Sequence, residues 1–269
     1  MEKRDQSDHP LNQVGASRPA APRPSAKRRK IPLLDRPLLT YSLAAINALI
    51  FLAGYLIPQL EQELFLRGAL LPQLVVFHGE VYRLFTAMFL HGSLPHVLFN
   101  TYAIFIVGQM VEPIFGRARF LLIYLLGGLT GSATSLALGG LSGAAVGASG
   151  AVFAIFAAHG IHLYQHRGAY VNARGQLRHM AILIGINLLI GFMPGSRIDN
   201  WGHIGGMLGG ALLAWRIGPR LARPSAPIRS LRELAALDRN PLRLRLPGLV
   251  IYIGALIGLI VLTINLLAA

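Results

Sequence analysis

Residues 144–164 read AAVGASGAVFAIFAAHGIHLY. The run is long enough for one crossing of a bilayer, which takes roughly 17–25 residues of helix. Ser149 lies inside it, in Gly147-Ala148-Ser149-Gly150, and a second apolar segment opens on Trp201-Gly202-His203. A hydroxyl and an imidazole are the minimum for nucleophilic acyl transfer. Polar groups of this kind are costly inside a membrane and are commonly functional there. The chain therefore reads as an all-α integral membrane protein with hydrolytic chemistry inside the bilayer.

Working outward, apolar stretches recur at about 38–57, 94–112, 119–139, 179–194, 201–217 and 248–268. With 144–164 they make seven spans. The composition agrees: 54% of the 269 residues are hydrophobic and 13% charged, against about a quarter charged in a soluble domain. There is no cysteine, which excludes disulfides and cysteine-based metal sites. The net charge of +14 raises nucleic acid as a partner. The basic residues, however, gather at the N-terminus and between apolar runs, which suits anionic lipid and topology control. No nucleic-acid partner is expected.

With the N-terminus inside, all of the 25 Lys and Arg except Arg67, Arg83 and Arg197 fall on the cytoplasmic side, as the positive-inside rule asks. This puts the C-terminus on the extracytoplasmic side, and a bacterial inner membrane fits the design best. Residues 1–36 are expected to form a disordered basic cytoplasmic tail. Residues 37–217 hold the first six spans, and 218–247 form a basic cytoplasmic loop with a short helix near 230–237. Residues 248–269 form an additional C-terminal transmembrane helix. The external loop 58–92 is only weakly polar and is expected to lie in the interface.

The second, fourth and sixth spans run from outside to inside, and each opens with its polar residues: His96 and Asn100, then Ser149, then His203. With the fourth helix starting near Ala144, Ser149 lies about 7 Å down it. Taken singly, Ser149 reads as a packing serine bonded to its own i−4 carbonyl, and His203 as a core histidine. At matched depth the pair reads as nucleophile and general base. Their approach needs a close helix crossing, and small residues supply it. Gly202, Gly206 and Gly210 follow i, i+4 spacing, and Gly147 and Gly150 flank Ser149 on the facing helix.

His96 and Asn100 share a helix face. They can donate, with the Ser149 backbone N–H, to an oxygen turning negative in a tetrahedral intermediate, or else form an interhelical clamp. His91 reads as structural. Glu112 is expected to pair with Arg117 and Arg119, and Asp199 to be a turn aspartate rather than a third triad member. Asn47 reads as an interhelical bond. His159, His162, His166 and His179 lack carboxylates around them, so no metal is expected.

In combination, His91 with His96 and Asn100, Gly147-Ala148-Ser149-Gly150, and Gly202-His203-Ile204-Gly205 with Gly209 resemble the motifs of the rhomboid family of intramembrane serine proteases. They occur in order on the expected spans, and the resemblance covers roughly 38–217. Gly108, Glu112 and Gly116 with Arg119-Phe120 look like the family's stretch between its second and third core helices.

The resemblance implies a rhomboid-like six-helix core plus one extra C-terminal helix, which occurs in part of the family. It implies a Ser149–His203 dyad without an acidic member, and an oxyanion site of His96, Asn100 and the Ser149 N–H. It further implies a membrane-embedded 58–92 loop, and a fifth span that gates lateral access for single-pass transmembrane substrates. No cofactor is implied. Phe153 stands where many members have a tyrosine stacked on the histidine, and Tyr82-Arg83 stands for a common Trp-Arg pair. The main rival is a catalytically silent member of the same fold, acting as a membrane chaperone or targeting factor. A transporter would spread polar groups through the full depth, whereas here they gather near one face.

Overall fold

The structure, a computed structural model, describes residues 36–170, 172–222 and 236–269. Nearly all of the expected tail, 1–36, lies outside the described residues, as does most of the helix expected near 230–237. The described regular structure is helical apart from two isolated β-bridges. Helix α1 (Leu38–Leu56) is followed by three short helices, α2 (Pro58–Gly68), α3 (Pro72–His78) and α4 (Arg83–Thr86). Then come α5 (Leu94–Phe115), α6 (Arg117–Gly139), α7 (Ser149–Gln165), α8 (Ala173–Gly191), α9 (Asn200–Ile217) and α10 (Leu246–Ala268). The long helices fall on the seven apolar stretches.

Among the described residues, four helical segments are long and apolar enough to cross a membrane: Leu38–Leu56, Leu94–Phe115, Arg117–Gly139 and Leu242–Ala268. Their outward faces carry exposed Leu49, Leu52, Phe99, Tyr102, Ile251 and Leu262. In water this would be an extensive apolar patch. Against lipid it is the ordinary coat of an integral membrane protein.

The centre is the packing of α6, α7 and α9, with Phe120, Ile123, Tyr124, Ile155 and Leu213 buried between helices. Glycines set the spacing. A Cβ on Gly206 would collide with the Gly150 carbonyl, and one on Gly210 with the Ala154 backbone. A Cβ on Gly131 would lie 2.6 Å from the Gly202 carbonyl oxygen. Backbone thus rests on backbone at two crossings, which is how membrane helices gain dispersion contact without a hydrophobic driving force.

Glu112 meets expectation only in part. Its buried carboxylate caps α1, accepting from the Leu39 N–H (3.1 Å), the Thr40 N–H (2.7 Å) and the Thr40 hydroxyl (2.8 Å). Arg117 makes the expected ion pair with it at 3.9 Å, whereas Arg119 pairs instead with Asp238 at 2.6 Å. The reason is local: the first N–H groups of a helix have no intrahelical acceptor and an anion satisfies several at once. Asn47 likewise turns its amide to the Leu43 carbonyl of its own helix, at 2.8 Å.

The 58–92 loop is a set of helical turns pinned by Arg83. Its buried guanidinium donates to the Glu80 carboxylate (2.6 Å), the Ala69 carbonyl (2.9 Å) and the Leu66 carbonyl (2.7 Å). The Arg83 hydrogen bond holds the Glu80 carboxyl below the usual carboxylate range. The Thr86 hydroxyl donates to the Gly68 carbonyl at 2.7 Å. Those bonds fix the strand-like turn at Leu70 on which the candidate site is hung.

Candidate active site

Ser149 is the first residue of α7, not a residue about 7 Å down it. Residues 144–148 are a non-helical lead-in instead, with a β-bridge at Ala145 and Ala148 as the N-cap. Ala145 exchanges both backbone bonds with Leu70 at 3.0 Å, and the Gly147 N–H donates to the Ala87 carbonyl at 2.9 Å. Once those groups bond to the 58–92 loop they cannot join a helix. Gly147 also sits at φ +131, a conformation that glycine alone takes readily. Ser149 is thereby left at a helix N-terminus, where its N–H has no intrahelical partner.

His203 stands in the first turn of α9. The Asp199 carboxylate caps that helix, accepting the Gly202 N–H at 2.8 Å, so this aspartate serves the backbone rather than the imidazole. The Ser149 hydroxyl and His203 Nε2 are 2.8 Å apart, across 54 residues of sequence. His203 Nδ1 is buried and meets no hydrogen-bond partner among the described residues. Phe153 stacks on the imidazole with ring centroids 4.4 Å apart and planes at 26°, so the aromatic contact persists without a tyrosine hydroxyl.

The structure brings His96 and Asn100 to the same place from α5. Ser93 caps this helix by accepting the His96 N–H at 3.3 Å. The two side chains close on Gly147: a Cβ there would stand 2.6 Å from His96 Nε2 and 3.7 Å from Asn100 Nδ2. Gly147 is therefore part of the loop that His96 overlies, not of the α7–α9 crossing as its spacing suggests. Asn100 Nδ2 donates to the His96 carbonyl at 3.2 Å in this state. His91 packs edge-on against His96, centroids 5.0 Å apart. Burial, with His96 beside it, lowers the His91 pKa to about 4, so its imidazole is neutral.

A small cleft reaches Ser149 between Met88, Gly128, Ser132, Val146 and Asp199. Its free space of about 30 Å³ suffices for a water molecule. Sequence reading passed over Gly127, Gly128 and Gly131 of α6, although Gly127 and Gly131 form a small-xxx-small pair in an apolar run. His159, His162, His166 and His179 lie elsewhere. His162 Nε2 meets the Tyr170 hydroxyl at 2.8 Å, and His166 Nε2 accepts the Leu221 N–H at 3.1 Å.

Three helix N-termini thus present a hydroxyl bonded to an imidazole, and a second imidazole beside an amide, around one backbone turn. A carbonyl seated there would have a nucleophile, a proton acceptor and several donors within reach.

Comparison with known proteins adds a lineage. The family model for the rhomboid domain matches residues 78–220. The chain is 40% identical over 144 residues to the rhomboid protease GluP of Bacillus subtilis, covering 54% of this chain and 27% of that protein. It is 38% identical over 142 residues to RHOMBOID-like protein 1 of Arabidopsis thaliana, covering 53% and 36%. It is 31% identical over 181 residues to the putative rhomboid protease YdcA of Bacillus subtilis, covering 66% and 87%. The chain spans well under half the length of the first two relatives and most of the third.

Proposed function

Because this chain belongs to the rhomboid family, whose proteases act on membrane-protein substrates within the bilayer, we propose that it is an intramembrane serine endopeptidase built on a Ser149–His203 dyad. The 2.8 Å contact between the Ser149 hydroxyl and His203 Nε2 carries the proposal.

In this reading His203, protonated on Nδ1, accepts the Ser149 proton at Nε2 as Oγ attacks the scissile carbonyl carbon. The resulting oxyanion is met by the Ser149 N–H, His96 and the Asn100 amide. The imidazolium then gives its proton to the leaving amine, the peptide bond breaks, and an acyl-enzyme remains. Water, deprotonated by His203, attacks that ester and restores Ser149. Asp199 takes no part.

The positive-inside pattern supports seven spans with the N-terminus cytoplasmic, the C-terminus extracytoplasmic and the site near the outer face of a bacterial inner membrane. Residues 37–217 form the catalytic core of that arrangement, 218–247 a cytoplasmic loop, and 248–269 the extra span. α8 buries only Ala173 and Met180, both toward its cytoplasmic end. Its other half buries no residue and is tied to α9 by the Asn200 amide, which donates to the Leu188 carbonyl at 3.0 Å. So sparse an attachment suits lateral admission of single-pass transmembrane substrates. Such a substrate must unwind to expose a carbonyl, so helix-weakening residues near the cut favour cleavage.

The test is cleavage of a fluorogenic transmembrane substrate by the full chain in liposomes. Ser149→Ala and His203→Ala should each lower turnover at least ~10³-fold while folding as the wild type does. Cleavage that survives in both variants removes the dyad. A folded wild type that cleaves no helix-weakened substrate favours the chaperone reading.

A further inference from the structure

α10 meets the rest of the protein at three depths. At its cytoplasmic end, Arg245 donates to the Asn240 side-chain oxygen, and the Asn240 amide donates to the Arg216 carbonyl (3.2 Å) and the Gly218 carbonyl (2.8 Å) at the end of α9. At its far end, Ile260, Ile264 and Leu267 pack on the cluster of Leu70, Val75, Val76 and Leu136. Leu70 is the residue whose backbone holds Ala145, four positions before Ser149. The middle contact is polar and specific.

There the Tyr252 hydroxyl lies 2.5 Å from the Thr130 hydroxyl of α6. Thr130 has one hydroxyl proton, and it goes to the Leu126 carbonyl at 2.8 Å, so Tyr252 donates. The α9 backbone rests on this pair. A Cβ on Gly209 would stand 2.7 Å from the Tyr252 oxygen and 2.8 Å from Thr130 Cβ. One turn up, Gly205 abuts Thr134, whose hydroxyl donates to the Thr130 carbonyl at 2.8 Å. His203 rides on the same helix, about 9 Å from Gly209 at 1.5 Å per residue.

We infer that Tyr252 is a positioning residue for His203, and that α10 belongs to the catalytic scaffold rather than being an added anchor. The inference rests on the proposed dyad. The Tyr252–Thr130 pair forms the stop against which α9 seats on its Gly205–Gly209 face, next to the face that meets α7. If the pair is lost, α9 can settle outward, and the 2.8 Å approach to Ser149 lengthens. Misplacement by about 1 Å costs roughly 100-fold in rate, so a fraction of that should cost about tenfold.

The experiment uses the full chain in liposomes, with active sites titrated by a fluorophosphonate that labels the reactive serine. Tyr252→Phe removes the hydroxyl and keeps the ring. Its turnover per titrated site should fall about tenfold with KM unchanged. Thr130→Val should show the same loss, Thr130→Ser should restore near wild-type turnover, and the double variant should be no worse than either single one. Thr130→Val reads the same bond if Tyr252→Phe does not fold. A merely structural role would reduce the number of titratable sites and leave turnover per site untouched, and that outcome overturns the inference. Ser149→Ala, run alongside, separates the two levels. If it still cleaves, the dyad falls and this inference with it. If it is dead while Tyr252→Phe turns over normally per site, this inference alone is wrong.

Discussion

Gly147 has no side chain, and His96 stands where one would be. With φ at +131 and an added Cβ only 2.6 Å from His96 Nε2, alanine is penalised twice, by strain and by collision. Gly147→Ala should displace His96 and the turn before Ser149, lowering kcat roughly 100-fold. The reactive serine should still titrate, because the groups nearest the added Cβ are His96 and Asn100 rather than His203. A variant that keeps wild-type kcat would mean that His96 does not act at the reacting oxygen. The Gly-Ala-Ser-Gly spacing was legible as a motif, but its first glycine read as a packing residue. The matched depth of His96, Asn100 and Ser149 put a second helix beside the site, but nothing along the chain indicated that His96 lies directly over Gly147.

At the level of elements, the junction of α7 and α9 sets the geometry of the site. Alanine is a better helix former than glycine by about 1 kcal/mol, so Gly206→Ala should stabilise an isolated α9. In the protein its Cβ meets the Gly150 carbonyl, a backbone atom that cannot swing aside. Cleavage by Gly206→Ala should fall by roughly 100-fold, with serine labelling reduced alongside it. Wild-type cleavage would show that the crossing has slack. The 3.6-residue period made this stripe visible from sequence. The start of α7 was not visible, because residues 144–148 are as apolar as the helix they precede. They leave the helix only because their backbone bonds to Leu70 and Ala87, residues far away in the chain.

Across the whole molecule, buried neutral groups set the response to acid. The folded pKa of His91 is about 4, against an ordinary value of 6.5. Below pH 6.5 the unfolded chain takes up a proton that the folded one refuses, so stability is present above that value and is lost as pH falls toward 4. Glu80, held low by Arg83, acts in the same direction below the ordinary carboxylate value of 4.5. Thermal melts in detergent should show Tm falling by on the order of 5 °C across the His91 window. His91→Gln should flatten that slope; an unchanged slope would assign it to other groups. The same scale shows why α10 resisted interpretation from sequence. Its residues are apolar nearly throughout, and only the fold shows that Tyr252 faces Thr130 rather than lipid.

The sequence by itself determined the helical class, the seven apolar runs, the charge asymmetry between them and the set of side chains with reactive chemistry. These are local properties: hydropathy, period and residue type are written in consecutive positions. The tertiary structure decided that the Ser149 hydroxyl lies 2.8 Å from an imidazole 54 residues away. It also decided that Asp199 caps a helix, that Glu112 serves α1, and that Gly147 lies beneath His96. Each depends on how closely two helices approach. That distance is set by small residues on both partners together, and no single stretch of chain contains it.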